Sequence, residues 1–337
     1  MSVADSDIKF YYPQVRNDTG SNGGRMTANA IANGAEQAIF PNPPTAELTA
    51  GSDKYRKVCA KIENADNGPL NSAVGYLEGP SPGDDMLFYF AGTETDIQSD
   101  LTGSEALYGG GLLDATVLAG VSSIDVLVED WANYPVFRDG DKIVIHNGYY
   151  TLVDGVYVWT APTIFNHRTI SGAPSPAGNV ITLTLATPLA DGFTAGQCCV
   201  MSVIDHDTVD GTVDTAVVTS AAGAFDSAEI VCNNRGGVAQ VVTLTMADAT
   251  AFNAVSDVKG SLGSGNRGST FAPTNADFGI EYFQIPSSAW SGTYQAGDTV
   301  VLTFHSAEAP SWIRRIINAL SSSIPLFTPR WVLEGQG

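Results

Sequence analysis

The chain has 337 residues, 44% of them apolar, which is enough for two or three modest domains with real cores. Only 15% of residues are charged, against roughly a quarter in ordinary soluble domains, and 36 acids face 16 bases. A net charge of −20 excludes a groove that grips nucleic acid, which must neutralise phosphates, and suits a surface that repels polyanions.

The first 24 residues, MSVADSDIKFYYPQVRNDTGSNGG, read as a polar arm with one sticky patch, Ile8-Lys9-Phe10-Tyr11-Tyr12. Gly20, Gly23 and Gly24 predict flexibility, so the arm is expected to pair with another subunit. Ile8, Phe10 and Tyr12 would then share one face of an added strand. A β-sandwich module is expected over 25–105. In it FPNPPTAEL blocks helix through its prolines, and KYRKVCAKIEN alternates as a half-buried strand. AVGYLEGPSPGDDMLFYFAGT then gives a strand, a Pro/Gly turn and a strand.

Gly109-Gly110-Gly111 reads as a hinge into a second β module, 108–205, with strands in SIDVLVED, DKIVIH and NVITLTLATPL. A local signature recurs in DGDKIVIH at 139, AGQCCVMSV at 195 and AGDTVVLTF at 296. In each, a glycine turn feeds an alternating run. Asp205-His206-Asp207 marks a boundary, read as a solvated turn, before a third module over 208–305. That module has strands in EIVCNN, AQVVTLTM and TVVLTF, and ADATAFNAV is its helix candidate. The last element, 306–337, places Trp312, Ile313, Ile316, Ile317 and Leu320 at helical spacing, with Arg314, Arg315 and Asn318 on the other side. Pro310 suits its start, and TPRWVLEG reads as a final strand. The fold class is thus mainly β: several sandwich- or barrel-like modules in series, with an N-terminal arm and a short C-terminal helix or extended element.

Motifs for chemistry are sparse. Cys59, Cys198, Cys199 and Cys232 include no CxxC spacing and read as small buried hydrophobes in a reducing cytoplasm. There is neither a leader pattern nor an apolar run near 18 residues, so the expectation is a protein neither secreted nor membrane-spanning. Gly263-x-Gly265-x-x-Gly268 matches a dinucleotide fingerprint in letters only. Pro273 and the turn formers after it forbid the required helix, so a mobile loop is expected. Asp205-His206-Asp207 would diverge on a strand and lacks a second ligand cluster. His146 and His305 fall in or after strands, and Asp84-Asp85 sits in an exposed turn. The sequence therefore predicts no catalytic residues, no cofactor and no metal.

Several stretches resemble a family of virion structural proteins of tailed bacteriophages. They are SDIKFYYP with the glycine-rich arm, AIFPNPPTAEL with YRKV, GGGLL, AGVSSIDVLVED, FRDGDKIVI, ITLTLATPLADGF, FAPTNADFGIEYFQIPSSAWSGTYQAGDTVVLTF, and PSWIRRIINA with the final EGQ. The likeness runs over most of the chain, but its motifs are packing and turn motifs. The family pattern is expected to read Pro-Ala-Gly after the Arg-Arg-apolar-apolar run. Here Asn318-Ala319-Leu320 stands in its place, which permits a helix. The resemblance implies a virion part assembled in the host cytoplasm, its partners being copies of itself and other virion proteins.

The leading expectation is a major tail tube subunit, forming hexameric or trimeric rings that stack and conduct DNA without binding it, with no membrane partner. An acidic lumen repels phosphate, and low charge density suits large subunit contacts. A head decoration, connector or baseplate protein would share this composition. A carbohydrate- or receptor-binding β module could use Trp131 and Tyr134, Tyr149 and Tyr150, or Trp290 as an aromatic platform. Trp312 and Ile316 are expected to be buried. Arg314 or Arg315 is expected to meet an acid of a neighbouring subunit, so that reversing both would leave a folded monomer unable to form rings.

Overall fold

Short β-branched runs punctuated by glycine turns yield a mainly β protein, with 50% of residues in strands. The structure is a computed structural model describing residues 3–33, 37–80, 85–154, 156–321 and 330–336. All strand pairs in its sheets are antiparallel. One sheet runs in the order Gly23–Ala30, Ile8–Val15, Ser52–Ile62, Glu308–Ile317, Asp85–Ala91. A second has seven strands, with Lys142–His146, Cys199–Ser202, Gly110–Leu113 and Ser123–Leu127 as consecutive members. A third joins Ile204–Val209, Leu70–Leu77 and Trp331–Gln336. A fourth centres on Thr299–His305, Gln240–Met246, Ala251–Ser256 and Gly260–Asn266.

The modules are not strung in simple series. The residues read as a flexible arm form an inner strand of this same chain, pairing Ile8 with Ile62 and Tyr11 with Cys59. The C-terminal element is not a helix. Glu308–Ile317 is a ten-residue strand lying between Ser52–Ile62 and Asp85–Ala91, so it completes the sheet of the first module. Its helical spacing misleads because both strand faces are buried. Ile316 joins a core with Met86 and Phe88, while Ile313 joins another with Val58, Leu87 and Tyr89. A strand buried on both sides shows no alternation. Pro310 is tolerated because its backbone faces the end of that ladder, where the Gly92 N–H donates to its carbonyl at 3.0 Å.

Other expectations shift for similar reasons. Ser52–Ile62 is not half-buried: its last seven residues are all buried, Lys57 and Lys61 among them. ADATAFNAV is a turn followed by the strand Ala251–Ser256, in which Phe252, Ala254 and Ser256 alternate inward. Period-two burial overrides alanine's helix propensity. The prolines of FPNPP delay helix only as far as Thr45–Ala50. Asp205-His206-Asp207 lies in a bulged strand, not a turn, and Gly263 and Gly265 lie in a paired strand, not a loop. Part of the turn at 79–83 lies outside the described residues.

Gly109-Gly110-Gly111 is a packing requirement and not a hinge. A Cβ on Gly110 would stand 2.2 Å from the Met201 sulfur and 2.4 Å from the Val200 carbonyl oxygen, and one on Gly111 would stand 2.2 Å from the Leu127 carbonyl oxygen. Gly110→Ala should therefore cost about 1–3 kcal/mol through overpacking. Urea unfolding measures it; a variant as stable as wild type would mean that the sheet yields there.

Candidate functional site

Positive charge is the scarce component of this chain, so the site is built by following it. Two central strands carry six of the bases. Arg56 Nη2 meets Asp18 at 2.6 Å, and Lys54 bonds Glu47 and Asp18. Lys57 lies 2.6 Å from Asp96, whose other oxygen accepts the Trp312 indole N–H at 2.7 Å. Arg314 and Arg315, adjacent and hence on opposite faces, form two-pronged pairs with Asp53 and Asp85, each as close as 2.7 Å. Trp312 and Ile316 are buried as expected, and both arginines meet acids of their own chain. Folding places Asp53 and Asp85 diagonally across the strand ladders from these arginines and so supplies the partners internally.

The other predicted contact residues are half-buried on their own chain. Ile8 and Phe10 pack beside Ala60 and Ile62, the Tyr12 hydroxyl donates to the Ala38 carbonyl at 3.1 Å, and the Arg16 guanidinium lies 3.8 Å above the Tyr12 ring. The aromatic platforms are likewise spent on packing. Trp290 is in the core around Phe252, Trp131 and Tyr134 pack on the core of the seven-stranded sheet, and Tyr150 lies 4.5 Å from Trp159.

Sequence reasoning missed a second cluster, where the first sheet meets the fourth. Lys61 and Glu308 are directly opposite across the ladder, both buried. Lys61 Nζ donates to the Gly237 carbonyl at 2.7 Å and forms no ion pair with Glu308. Glu94 accepts from the Ser306 backbone and contacts His305, whose second ring nitrogen faces Asp214. Neither Glu308 oxygen completes a hydrogen bond, although Ser306 approaches it. Burial first, and then the charge of Glu94, holds the Glu308 carboxyl up at about 7, while burial lowers Lys61 to about 8. His305 is depressed by burial but raised overall by its bond to Glu94 and by Asp214. Glu308 lines a cleft of about 270 Å³, together with Gln14, Arg25, Thr27, Asn29, Lys259, Asp277 and Phe278. The only signal in the sequence is a glutamate inside the apolar run AEAPSWI.

The remaining chemistry is subdued. Burial pushes the thiols of Cys59, Cys198, Cys199 and Cys232 upward, Cys198 and Cys232 to about 12, so none is an activated nucleophile. Burial lowers His146 and His206 to about 4. Among the described residues no three His, Cys, Asp or Glu side chains are grouped to hold a metal, and no helix is long and apolar enough to cross a membrane.

No protein-family profile matches the chain, and no curated protein matches it. Solved structures with some similarity include the crystal structure of the infectious bursal disease virus VP2 subviral particle. It is 10% identical, and the alignment covers 88% of this chain and 80% of that one at a TM-score of 0.11. A structure of the Gx strain of that virus is 11% identical, with coverage of 89% and 78% and a TM-score of 0.09. At such scores neither likeness carries an argument about this chain.

Proposed function

We propose that the chain is a structural subunit of a tailed-bacteriophage virion, in the role of major tail tube protein, with hexameric or trimeric rings stacking into a DNA conduit. The observation that supports this best is the internal disposal of positive charge. Lys9, Arg25, Lys54, Arg56, Lys57, Arg138, Lys142, Lys259, Arg314, Arg315 and Arg330, eleven of the sixteen bases, ion-pair with carboxylates of the same chain. The acids in excess of these pairs carry the net charge of −20, and an acidic wall lets a polyanion pass without gripping it. Copies this acidic repel one another, so assembly must use uncharged surface. The hairpin of Tyr149–Val153 and Val156–Thr160 offers some: Leu152, Val153, Val156 and Val158 are 41–52% exposed, and TLVDGVYV carries one charge.

The purified protein, imaged in negative stain, is expected to form hollow rods. Discs or spikes that never stack would instead favour a connector, decoration or baseplate part. The protein is also expected not to retard duplex DNA at about 50 mM salt, where non-specific binding is strong. Tight, salt-sensitive binding there defeats the conduit reading.

A further inference from the structure

We propose that the open face of the fourth sheet seats the hairpin of Tyr149–Val153 and Val156–Thr160 from a second copy of this chain, an inference that rests on the reading of the chain as a self-assembling subunit. The six strands of that sheet hold no Asp, Glu, Lys or Arg, although 15% of the chain is charged. Burial alternates along its central strands, so Val242, Leu244, Val300 and Leu302 fill the core while every second residue faces out. Register aligns Val217, Val301, Thr243 and Val255 in one row across that outer face, with Thr299 and Thr245 in the next. Val217 is 65% and Val255 50% exposed, so the chain itself leaves the row open.

The hairpin has the matching character. Its inner face is anchored: Tyr150 lies 4.5 Å from Trp159, and both rings crowd Gly79, where a Cβ would come within 2.8 Å of Tyr150 and 3.1 Å of Trp159. Val153 and Val156 stand opposite each other on the outer face with Val158 beside them, and the three are 41–50% exposed. On both surfaces these side chains are β-branched and stiff at χ1, so covering them costs little rotamer freedom. Charge selects a second copy as the occupant. At −20 apiece, copies repel wherever acids meet, and these two surfaces join without setting one acid against another. Pairing two sheet faces would leave both hairpins bare. A hairpin on a sheet joins two different patches, so the contact propagates from copy to copy, as a ring or a stack requires.

The test is sedimentation velocity of the full chain over a range of concentrations. The wild type is expected to associate. Val255→Asp on the sheet and Val158→Asp on the hairpin replace exposed side chains, so both should fold, and each should raise the concentration needed for association at least tenfold. Leu118→Asp, which adds the same charge at a position 75% exposed on the second module, should leave association unchanged. An equimolar mixture of Val255→Asp and Val158→Asp keeps one intact hairpin and one intact sheet face, and is expected to give one-to-one heterodimers and nothing larger. Undiminished association of either variant, an equal loss in Leu118→Asp, a mixture that stays monomeric, or a wild type that is monomeric throughout overturns the proposal. Failure of the tube reading looks different: the variants block assembly as expected, but the wild type builds discs or chains and not hollow rods.

Discussion

Asp96→Ala is expected to cost about 3–5 kcal/mol, because it strands a buried charge. The Lys57 side chain is 0% exposed and its ammonium has one carboxylate partner, 2.6 Å away on Asp96. The Gly24 carbonyl, at 2.8 Å, remains after the substitution but supplies no charge. Trp312, fully buried, loses the acceptor of its indole N–H in the same step. Neither group can turn to water, since a Cβ on the adjacent Gly23 would already lie 2.7 Å from the indole ring. The loss would be a large share of the 5–15 kcal/mol typical of a folded domain. Adding Lys57→Met should recover part of it, since deleting both charges removes the desolvation cost that deleting one exposes. Urea unfolding of the single and double variants decides: an Asp96→Ala protein within about 1 kcal/mol of wild type would mean that water reaches Lys57.

Strands with one buried face were legible in the sequence. VITLT and VVLTF alternate, follow glycine turns, and are strands at those positions. Elements buried on both faces were not. Glu308–Ile317 has apolar residues on either side of its sheet, so its pattern satisfied a helical template equally well. The buried charges were hidden for another reason. Arg314 and Asp53 are 261 residues apart and Arg315 and Asp85 are 230 apart, and no local spacing announces such partners. A chain poor in bases invited the thought that two adjacent arginines serve a neighbour, whereas the acids that meet them come from the chain's own first module. The Glu308 cleft was illegible altogether, since its walls come from strands near residues 25, 259 and 308 that only the folded chain brings together.

The two arginines should respond very differently to removal, and the contrast tests this account of the C-terminal strand. Arg315 and Asp85 have side chains only 10% and 6% exposed, and Arg315 also donates to the Pro41 carbonyl at 2.8 Å. Arg315→Ala leaves the Asp85 carboxylate buried without its cation and is expected to cost about 3–5 kcal/mol. Arg314 pairs with an Asp53 side chain that is 45% exposed, so solvent and salt screen the interaction and Arg314→Ala should cost only about 0–1 kcal/mol. Combining Arg315→Ala with Asp85→Ala should cost clearly less than the sum of the two, the mark of groups that depend on each other. Raising salt to about 1 M should shrink the small Arg314 effect and leave the Arg315 effect nearly intact. Reversal of both arginines to Glu should therefore unfold the chain and not yield the folded, assembly-deficient monomer that the sequence suggests. Arg314→Glu alone should stay folded and keep any capacity to form rings. Denaturant unfolding of these variants at two salt concentrations settles the matter. If Arg315→Ala proves no more costly than Arg314→Ala, the strand is not buried on its Arg315 face, and that arginine is free to meet another subunit after all.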